Sequence, residues 1–344
     1  MKVDLMTGGL PLRRMQQLAQ DAQAAGFSGL VITEAGRTAY LGCAAAALAA
    51  DIDVLTGVAV AFPRSPMVTA QVAWELAETT GGRFRLGLGT QVRAHIERRY
   101  GTAFDRPGPR MRDYVLALRA IFAAFGERSP LQHEGEFWSF SLLPEMWSPR
   151  PIAAPDPPID VAAVNPWMLR MAGEIADGVH VHPLNTPTYL RDTVTPNLHA
   201  GATRAGRNRT DLEVIVPTFA APGSTSDEAG EWREMARMQV AFYGSTPNYA
   251  FIFDQLGREG TTERIRDRQK AGDIAGMAAQ IDDDLLEHFC ISGDWATVAD
   301  GLIERYRGTA TRLVSYFAGM AWARDERALG PWGELARALQ HPPR

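Results

Sequence analysis

The sequence predicts an α/β protein in which eight parallel strands close into a (β/α)8 (TIM) barrel. Short β-rich runs alternate along the chain with longer segments of helical period, as parallel strands joined by crossover helices do. The first predicted strand is followed by Gly8 and Gly9, which lack the spacing of a glycine-rich dinucleotide-binding turn. A closed barrel therefore explains the pattern better than an open, doubly wound sheet.

Eight segments are predicted as strands because they are short, apolar and rich in β-branched residues. They cover residues 3–7, 29–33, 54–60, 84–89, 159–163, 178–181, 212–219 and 311–317. Apolar residues at three- and four-residue steps predict a helix over 12–25 that ends at Gly26. Ser65 and Pro66 predict the start of a second helix, as an N-cap followed by proline. An apolar stripe over 114–125 predicts a third helix that packs on the barrel.

Two connections are long, residues 90–158 after the fourth strand and residues 220–310 after the seventh. Loops that follow the strands of a barrel carry its chemistry, so we expect these insertions to wall and cover the active site. The first contains a predicted hairpin around Gly135, followed by a proline-rich strap that ends where the strand pattern resumes at Ile159. We expect residues 1–344 to form a single barrel domain.

Composition argues against several classes of function. The net charge is −5, with 35 basic residues scattered among 40 acidic ones, so nucleic acid is not an expected partner. The longest uncharged apolar run, residues 38–50, is shorter than the roughly 20 residues that span a bilayer, and the first residues lack a signal-peptide pattern. Cys43 and Cys290 lie in apolar stretches and predict free thiols in a reducing compartment. We therefore expect a cytoplasmic enzyme that acts on a small molecule.

Several polar and small residues follow predicted strands. Asn165 and Pro166 predict an N-cap with a first-turn proline, so free N–H groups could bind an anion at the barrel mouth, although most helix starts bind nothing. Gly87 and Gly89 either admit another group close to the backbone or relieve crowding at a bend. Four arginines near strand ends either form a basic rim for an anionic cofactor tail or pair with Glu97 and Asp105: Arg64, Arg93, Arg98 and Arg99.

His180 and His182 lie on one side of a predicted strand, a spacing that some metal-dependent barrel hydrolases use for ligands. Such a site needs further ligands at neighbouring strand ends, and of the remaining histidines only His95 follows a predicted strand closely. We therefore expect no metal. The three aspartates at 282–284 lack the glycine and spacing of a calcium loop and are typical of a solvated helix start.

Four segments together resemble the bacterial-luciferase-like oxidoreductases: GFSGLVITE at 26–34, GVAVAFPRSP at 57–66, GGRFRLGLG at 81–89 and AGEIADG at 172–178. The likeness covers nearly the whole chain. Two further segments, TQVRAHIERRYG at 90–101 and FYGSTP at 242–247, are most similar to an actinobacterial branch assigned to the deazaflavin coenzyme F420. The resemblance implies a luciferase-like barrel that binds F420, with FMN as the alternative cofactor.

The resemblance also implies roles for individual residues. It implies a non-prolyl cis peptide at Ala59–Val60 that bulges against the back of the cofactor ring. It implies that Glu34 touches the ring. His95 is the residue we expect to exchange a proton with substrate, and His182 is the alternative. The cofactor-binding residues expected on this basis are Ala59, Val60, Gly89, Thr90, Gln91, Val164, Asn165, Pro166, Trp167 and His182. The sequence departs from relatives at Ala35, where many carry histidine, and at Val92, where some carry a proton-donating glutamate.

These observations predict an F420-dependent oxidoreductase that transfers a hydride between the deazaflavin and a small organic substrate. Three alternatives stay open at this point. The first is an FMN-dependent monooxygenase on the same scaffold that reacts with O2. The second is a metal-dependent barrel hydrolase, and the third is a barrel that binds a ligand without catalysis. Dimers are common among proteins of this kind, and a homodimer is one assembly that the sequence allows.

Overall fold

Eight parallel strands form a closed barrel. The structure is a computed structural model that describes residues 1–342. Its strands are β1 (Lys2–Thr7), β2 (Gly29–Ile32), β3 (Asp53–Thr56), β4 (Ala59–Val60), β5 (Phe84–Gly89), β6 (His133–Glu134), β7 (Ser139–Phe140), β8 (Ile159–Ala162), β9 (Gly178–His180), β10 (Glu213–Pro222), β11 (Cys290–Gly293) and β12 (Arg312–Ser315). Parallel pairing runs through β1, β2, β3, β5, β8, β9, β10 and β12 and returns to β1. The predicted (β/α)8 barrel is confirmed.

Two strands differ from their predicted bounds. The predicted strand at 54–60 is interrupted, because the chain leaves the ladder after Thr56 and pairs again as β4 beside the end of β5. β10 continues to Pro222, where its last residues pair with β11. β11 was not predicted from the sequence; it is four residues long and lies outside the barrel ring. Within residues 1–342, β11 pairs only with the part of β10 that extends beyond the barrel.

Helices surround the barrel. They are α1 (Leu12–Ala25), α2 (Ala39–Ala47), α3 (Pro66–Thr80), α4 (Arg93–Arg98), α5 (Pro107–Phe125), α6 (Pro166–Ile175), α7 (Pro187–Tyr189), α8 (Thr195–Arg204), α9 (Ser226–Gly244), α10 (Ala250–Asp254), α11 (Thr261–Lys270), α12 (Ile274–Ala278), α13 (Asp283–Glu287), α14 (Trp295–Tyr306), α15 (Ala318–Arg324) and α16 (Leu329–Gln340). Those predicted from the sequence are present, although α5 begins at Pro107, before the predicted stripe over 114–125. α1 ends at Gly26, whose φ of 93° is left-handed and disfavoured for other residues. The Ser65 hydroxyl caps α3, and Asp282 caps α13, as predicted.

The hairpin predicted in the first insertion is present as β6 and β7, closed by the Gly135 N–H, which donates to the Trp138 carbonyl at 2.9 Å. One carboxylate on α5 anchors it. Asp113 accepts hydrogen bonds from His133 Nε2 at 2.8 Å and from the Phe137 N–H at 2.6 Å. The hairpin is thus fastened to a barrel helix at a fixed position.

The barrel interior has a charged layer below an apolar one. At the amino ends of the strands, Arg312 is 1% exposed and its guanidinium donates to both carboxylate oxygens of Asp4 at 2.7 Å. Arg85 pairs with Asp160 in the same layer, at 2.6 and 2.9 Å. Buried charges persist only when they are paired in this way. Towards the carboxyl ends the filling is apolar, with Met6, Val31, Leu55, Ile215 and Val314 in contact. The carboxyl-end mouth therefore has an apolar floor.

Neither thiol is paired, and both are buried, as the sequence predicted. Burial raises the pKa of the Cys290 thiol to about 12, which leaves it protonated and unreactive. Among residues 1–342, no helix has both the length and the apolar character that a membrane crossing requires.

Candidate active site

The candidate site lies at the carboxyl-end mouth of the barrel and has two walls. One wall follows β2, β3 and β5 and contains a bulge in the backbone. The other follows β9 and β12 and contains aromatic side chains from the second insertion. The apolar layer that includes Val31 and Leu55 forms the floor between them.

The bulge contains a cis peptide bond between Gly57 and Val58. The predicted position, Ala59–Val60, is therefore wrong by two residues. Ala59 and Val60 are buried in β4, and their backbone pairs with β5 in the sheet. Gly57 and Val58, in contrast, are half-buried at the mouth. Crowding explains the glycine, because a Cβ at position 57 would lie 2.0 Å from Val31 Cγ1.

Glycines beneath the bulge make room for protein groups. A Cβ at Gly87 would lie 2.0 Å from the Thr56 carbonyl oxygen and 2.5 Å from His180 Nε2. A Cβ at Gly89 would lie 2.5 Å from Val58 Cγ2. Of the two interpretations that the sequence left open, these contacts favour relief of crowding at a bend.

Glu34 lies directly behind the bulge in a closed ion pair. Its carboxylate accepts from the Val60 N–H at 2.7 Å and from Arg64 Nη1 at 2.9 Å, and the Glu34 side chain is only 4% exposed. Arg64 also donates to the Val60 carbonyl at 2.8 Å. Both carboxylate oxygens are therefore occupied by groups of the protein, and the pair fixes β4 immediately after the bulge.

Two histidines on β9 and just after it face the inside of the barrel, as the strand period predicted. His180 is 6% exposed, its Cε1 lies 3.6 Å from the position of a Cβ on Gly57, and its Nε2 is buried without a hydrogen-bond partner in residues 1–342. Burial lowers the pKa of His180 to about 4 and that of His182 to about 3. Both imidazoles are therefore neutral near pH 7.

Aromatic side chains of the second insertion surround His182. The ring centroids of Tyr249 and Tyr243 lie 4.1 and 4.9 Å from that of His182. The Tyr243 hydroxyl is 2.6 Å from that of Tyr316, which donates to Gln239 Oε1 at 3.2 Å. Sequence reasoning missed these tyrosines as site residues, although Tyr243 lies in the segment 242–247 that carried the resemblance.

The start of α6 offers a limited anion site. The predicted N-cap is present, because Asn165 Oδ1 accepts from the Met168 N–H at 3.0 Å. Pro166 has no N–H, so among the first three helical residues Trp167 alone has an N–H that this cap leaves free. The Val164 carbonyl accepts from the Tyr189 hydroxyl at 2.7 Å. The Trp167 side chain is 43% exposed at the same corner.

The segment after β5 places its predicted residues at the rim. Gln91 adopts a left-handed φ of 57°, and its side chain caps its own loop through the Val92 N–H. Thr90 Oγ1 donates to the Gln91 carbonyl at 3.2 Å. His95 is exposed on α4, and within residues 1–342 its side chain forms no hydrogen bond to Glu34.

Only one of the rim arginines that follow β5 forms an ion pair that the sequence offered. Arg93 pairs with Glu97 at 2.7 Å, and Arg99 donates to the Ala35 carbonyl. Arg98 and Arg99 form no ion pair with Glu97 or Asp105 in the described part of the chain, so that alternative is not realised. No group of three or more His, Cys, Asp or Glu side chains suited to a metal occurs within residues 1–342.

Comparison with known proteins identifies relatives over most of the chain. The family model described as luciferase-like monooxygenase matches residues 2–312. An uncharacterized protein of Mycobacterium tuberculosis is 36% identical over 319 residues, which are 91% of this chain and 93% of its own length. The 5,10-methylenetetrahydromethanopterin reductase of Archaeoglobus fulgidus is 27% identical over 266 residues, 75% of each chain. The solved coenzyme F420 dependent tetrahydromethanopterin reductase of Methanopyrus kandleri superposes with a TM-score of 0.80 at 23% identity, and the match covers 97% of each chain.

Proposed function

This chain belongs to the luciferase-like monooxygenase family and is an oxidoreductase that uses a deazaflavin or a flavin, and we propose that its cofactor is the deazaflavin F420. Two findings support the choice. The Archaeoglobus relative is named as a reductase, and the solved Methanopyrus enzyme of the same type is described as F420-dependent. The segment 242–247, on which the likeness to the F420 branch partly rests, contributes Tyr243 to the mouth.

The mouth suits a planar, aromatic cofactor. Its floor is apolar, and the half-buried backbone of Gly57 and Val58 could support one face of a ring. His182 at the mouth is neutral, so this imidazole would place no buried charge beside the ring. The Trp167 N–H and the positive end of α6 could bind a phosphate. Bound there, the deazaflavin would supply a hydride to the substrate.

The chain's own residues would mainly align the reactants. In this proposal Glu34 is a positioning residue that acts through the Val60 N–H and the bulge, because both of its oxygens are already bonded. We keep His95 as the residue proposed to exchange a proton, and we keep Gly89, Thr90 and Gln91 as proposed neighbours of the cofactor. A small organic substrate and a homodimer likewise remain proposals, the second testable by light scattering.

A titration tests the cofactor. Purified protein is titrated separately with F420 and with FMN, following fluorescence. We expect F420 to saturate at lower concentration than FMN. Tighter saturation by FMN would instead support the FMN-dependent monooxygenase, and binding of neither would favour a barrel that binds another ligand.

Two variants at one position test the phosphate site. Trp167→Pro removes the free N–H at a helix position that tolerates proline, whereas Trp167→Ala removes the same indole and keeps the N–H. A hydrogen bond to a charged group contributes about 1.5–3 kcal/mol, so the proline variant should bind F420 at least about tenfold more weakly than the alanine variant. Equal affinities would place the phosphate elsewhere.

A further substitution tests the assigned role of Glu34. Glu34→Gln keeps the size of the side chain and weakens its ion pair, so we expect turnover to fall far more than F420 affinity. An equal loss of both would contradict a positioning role in the reaction.

A further inference from the structure

The hydrogen bonding of His182 fixes which ring nitrogen carries the proton. Its Nδ1 lies 3.0 Å from the Leu184 backbone nitrogen, whose N–H donates to it. Only an unprotonated ring nitrogen can accept such a bond, so the proton of the neutral imidazole is on Nε2. The Nε2–H of His182 is therefore a hydrogen-bond donor. The one lone pair of the ring, on Nδ1, already accepts the Leu184 N–H.

Its surroundings keep the imidazole neutral. Two rings pack against it, Tyr249 from the segment after α9 and Tyr243 from α9 itself, and both are titratable only at high pH because burial raises their pKa values. The pKa of His182 is lowered by burial, without an opposing carboxylate. A second proton on this ring would therefore be disfavoured.

The position of His182 places this donor beside the proposed ring site. His180 touches the bulge from below, since its Cε1 lies 3.6 Å from the Cβ position of Gly57. His182 is two residues further along the same inner side, one layer nearer the mouth. Its Nε2 has no hydrogen-bond partner within residues 1–342. The free N–H would then face a substrate bound above the bulge.

We propose that His182 is a catalytic hydrogen-bond donor that polarises the carbonyl oxygen of the substrate, and that the enzyme reduces carbonyl compounds. This inference rests on the proposed function. A hydride from the reduced deazaflavin would add to the carbonyl carbon, and the electrons of the C=O π bond would move to oxygen. The oxygen would take a proton from His95, the proton-exchanging residue of the proposed function, and water would reprotonate His95. The carbonyl becomes an alcohol, the deazaflavin is oxidised by two electrons, and His182 keeps its own proton.

The fixed donor argues against an iminium substrate but not against the reverse reaction, the oxidation of an alcohol. Alcohol oxidation passes through the same transition state, whose oxygen the donor stabilises in either direction. An iminium carbon is bonded to a nitrogen without a lone pair, so the donor would have nothing to bind. A carbonyl oxygen accepts a hydrogen bond in the ground state and a stronger one as charge develops on it.

Nitrogen NMR tests the donor in the absence of any cofactor. In protein labelled with ¹⁵N-histidine, the His182 signals are assigned by their loss in His182→Gln. We expect the neutral form with the proton on Nε2 at pH 7. A proton on Nδ1, or a charged ring, would overturn the proposal whatever cofactor the enzyme uses.

Kinetics with reduced F420 test the substrate class, using cyclohexanone and benzaldehyde as probes. His182→Phe should lower kcat by about 100-fold or more, the loss typical of one such donor, with KM little changed. His182→Gln keeps an N–H donor and should recover part of the rate. Circular dichroism and F420 titration check that both variants fold and bind cofactor.

The outcomes separate the two proposals. Failure of the wild type to bind F420 contradicts the proposed function. Binding of reduced F420 without reduction of either carbonyl probe, or full activity of His182→Phe, contradicts only the role and substrate class inferred here.

Discussion

Acidification should destabilise this fold through His180, whose imidazole is neutral inside the barrel. The pKa of that ring is lowered by burial from 6.5 to about 4, and Arg85 and Arg312 lower it further while Asp160 opposes them. The folded state therefore binds fewer protons than the unfolded state between these two values. Stability from this group is present above pH 6.5 and is lost as the pH falls towards 4.

The magnitude follows from the two pKa values. At pH 5 a histidine of the unfolded chain is almost fully protonated, whereas His180 is mostly neutral. Linkage then makes this one residue responsible for a loss of about 2 kcal/mol in the free energy of unfolding between pH 7 and pH 5. His182 adds a separate contribution of the same sign.

Urea denaturation at pH 7 and pH 5 measures this loss in the wild type and in His180→Gln. The variant has no titrating ring at this position, so its loss between the two pH values should be smaller by about 2 kcal/mol. His199→Gln, at an exposed position on α8, controls for the removal of a histidine as such. If His180→Gln and the wild type lose the same stability on acidification, the buried neutral imidazole is not the cause.

Three other perturbations address the bulge and the hairpin. Arg64→Met leaves the Glu34 carboxylate buried and unpaired and should cost about 3–5 kcal/mol in urea denaturation, whereas the double variant with Glu34→Gln should cost less than the sum. Thr56→Val removes the hydroxyl that donates to the Gly87 carbonyl at 2.7 Å and should lower the free energy of unfolding by about 1–3 kcal/mol. Asp113→Asn should speed amide hydrogen exchange in the hairpin while exchange in the barrel strands stays slow; unchanged hairpin protection would mean that the carboxylate does not anchor it.

Local sequence patterns predicted which residues lie at the site better than they predicted what those residues do there. The caps at Asn165 and Ser65 were predicted because an N-cap depends on neighbours only two or three residues away. The number of free N–H groups at α6 was overestimated, because the Asn165 side chain itself takes one of them. Glu34 was correctly identified as a residue after the second strand, but its partner Arg64 is 30 positions away.

The position of the cis peptide shows the limit of reasoning by resemblance. The segment 57–66 contains several small apolar residues in succession, and nothing in their order says where the strand leaves the ladder. That point is set by the packing of Val31 against Gly57 and of Val58 against Gly89, and both contacts join different strands.

The sequence by itself determined the closed barrel and several of its helices, because periodicity and capping are local properties. Only the tertiary structure decided the state of His182. Its neutrality depends on Tyr243 and Tyr249, more than 60 residues away, being packed against it. The protonation of this side chain is a property of the assembled fold, because the rings that exclude water from it come from a distant part of the chain.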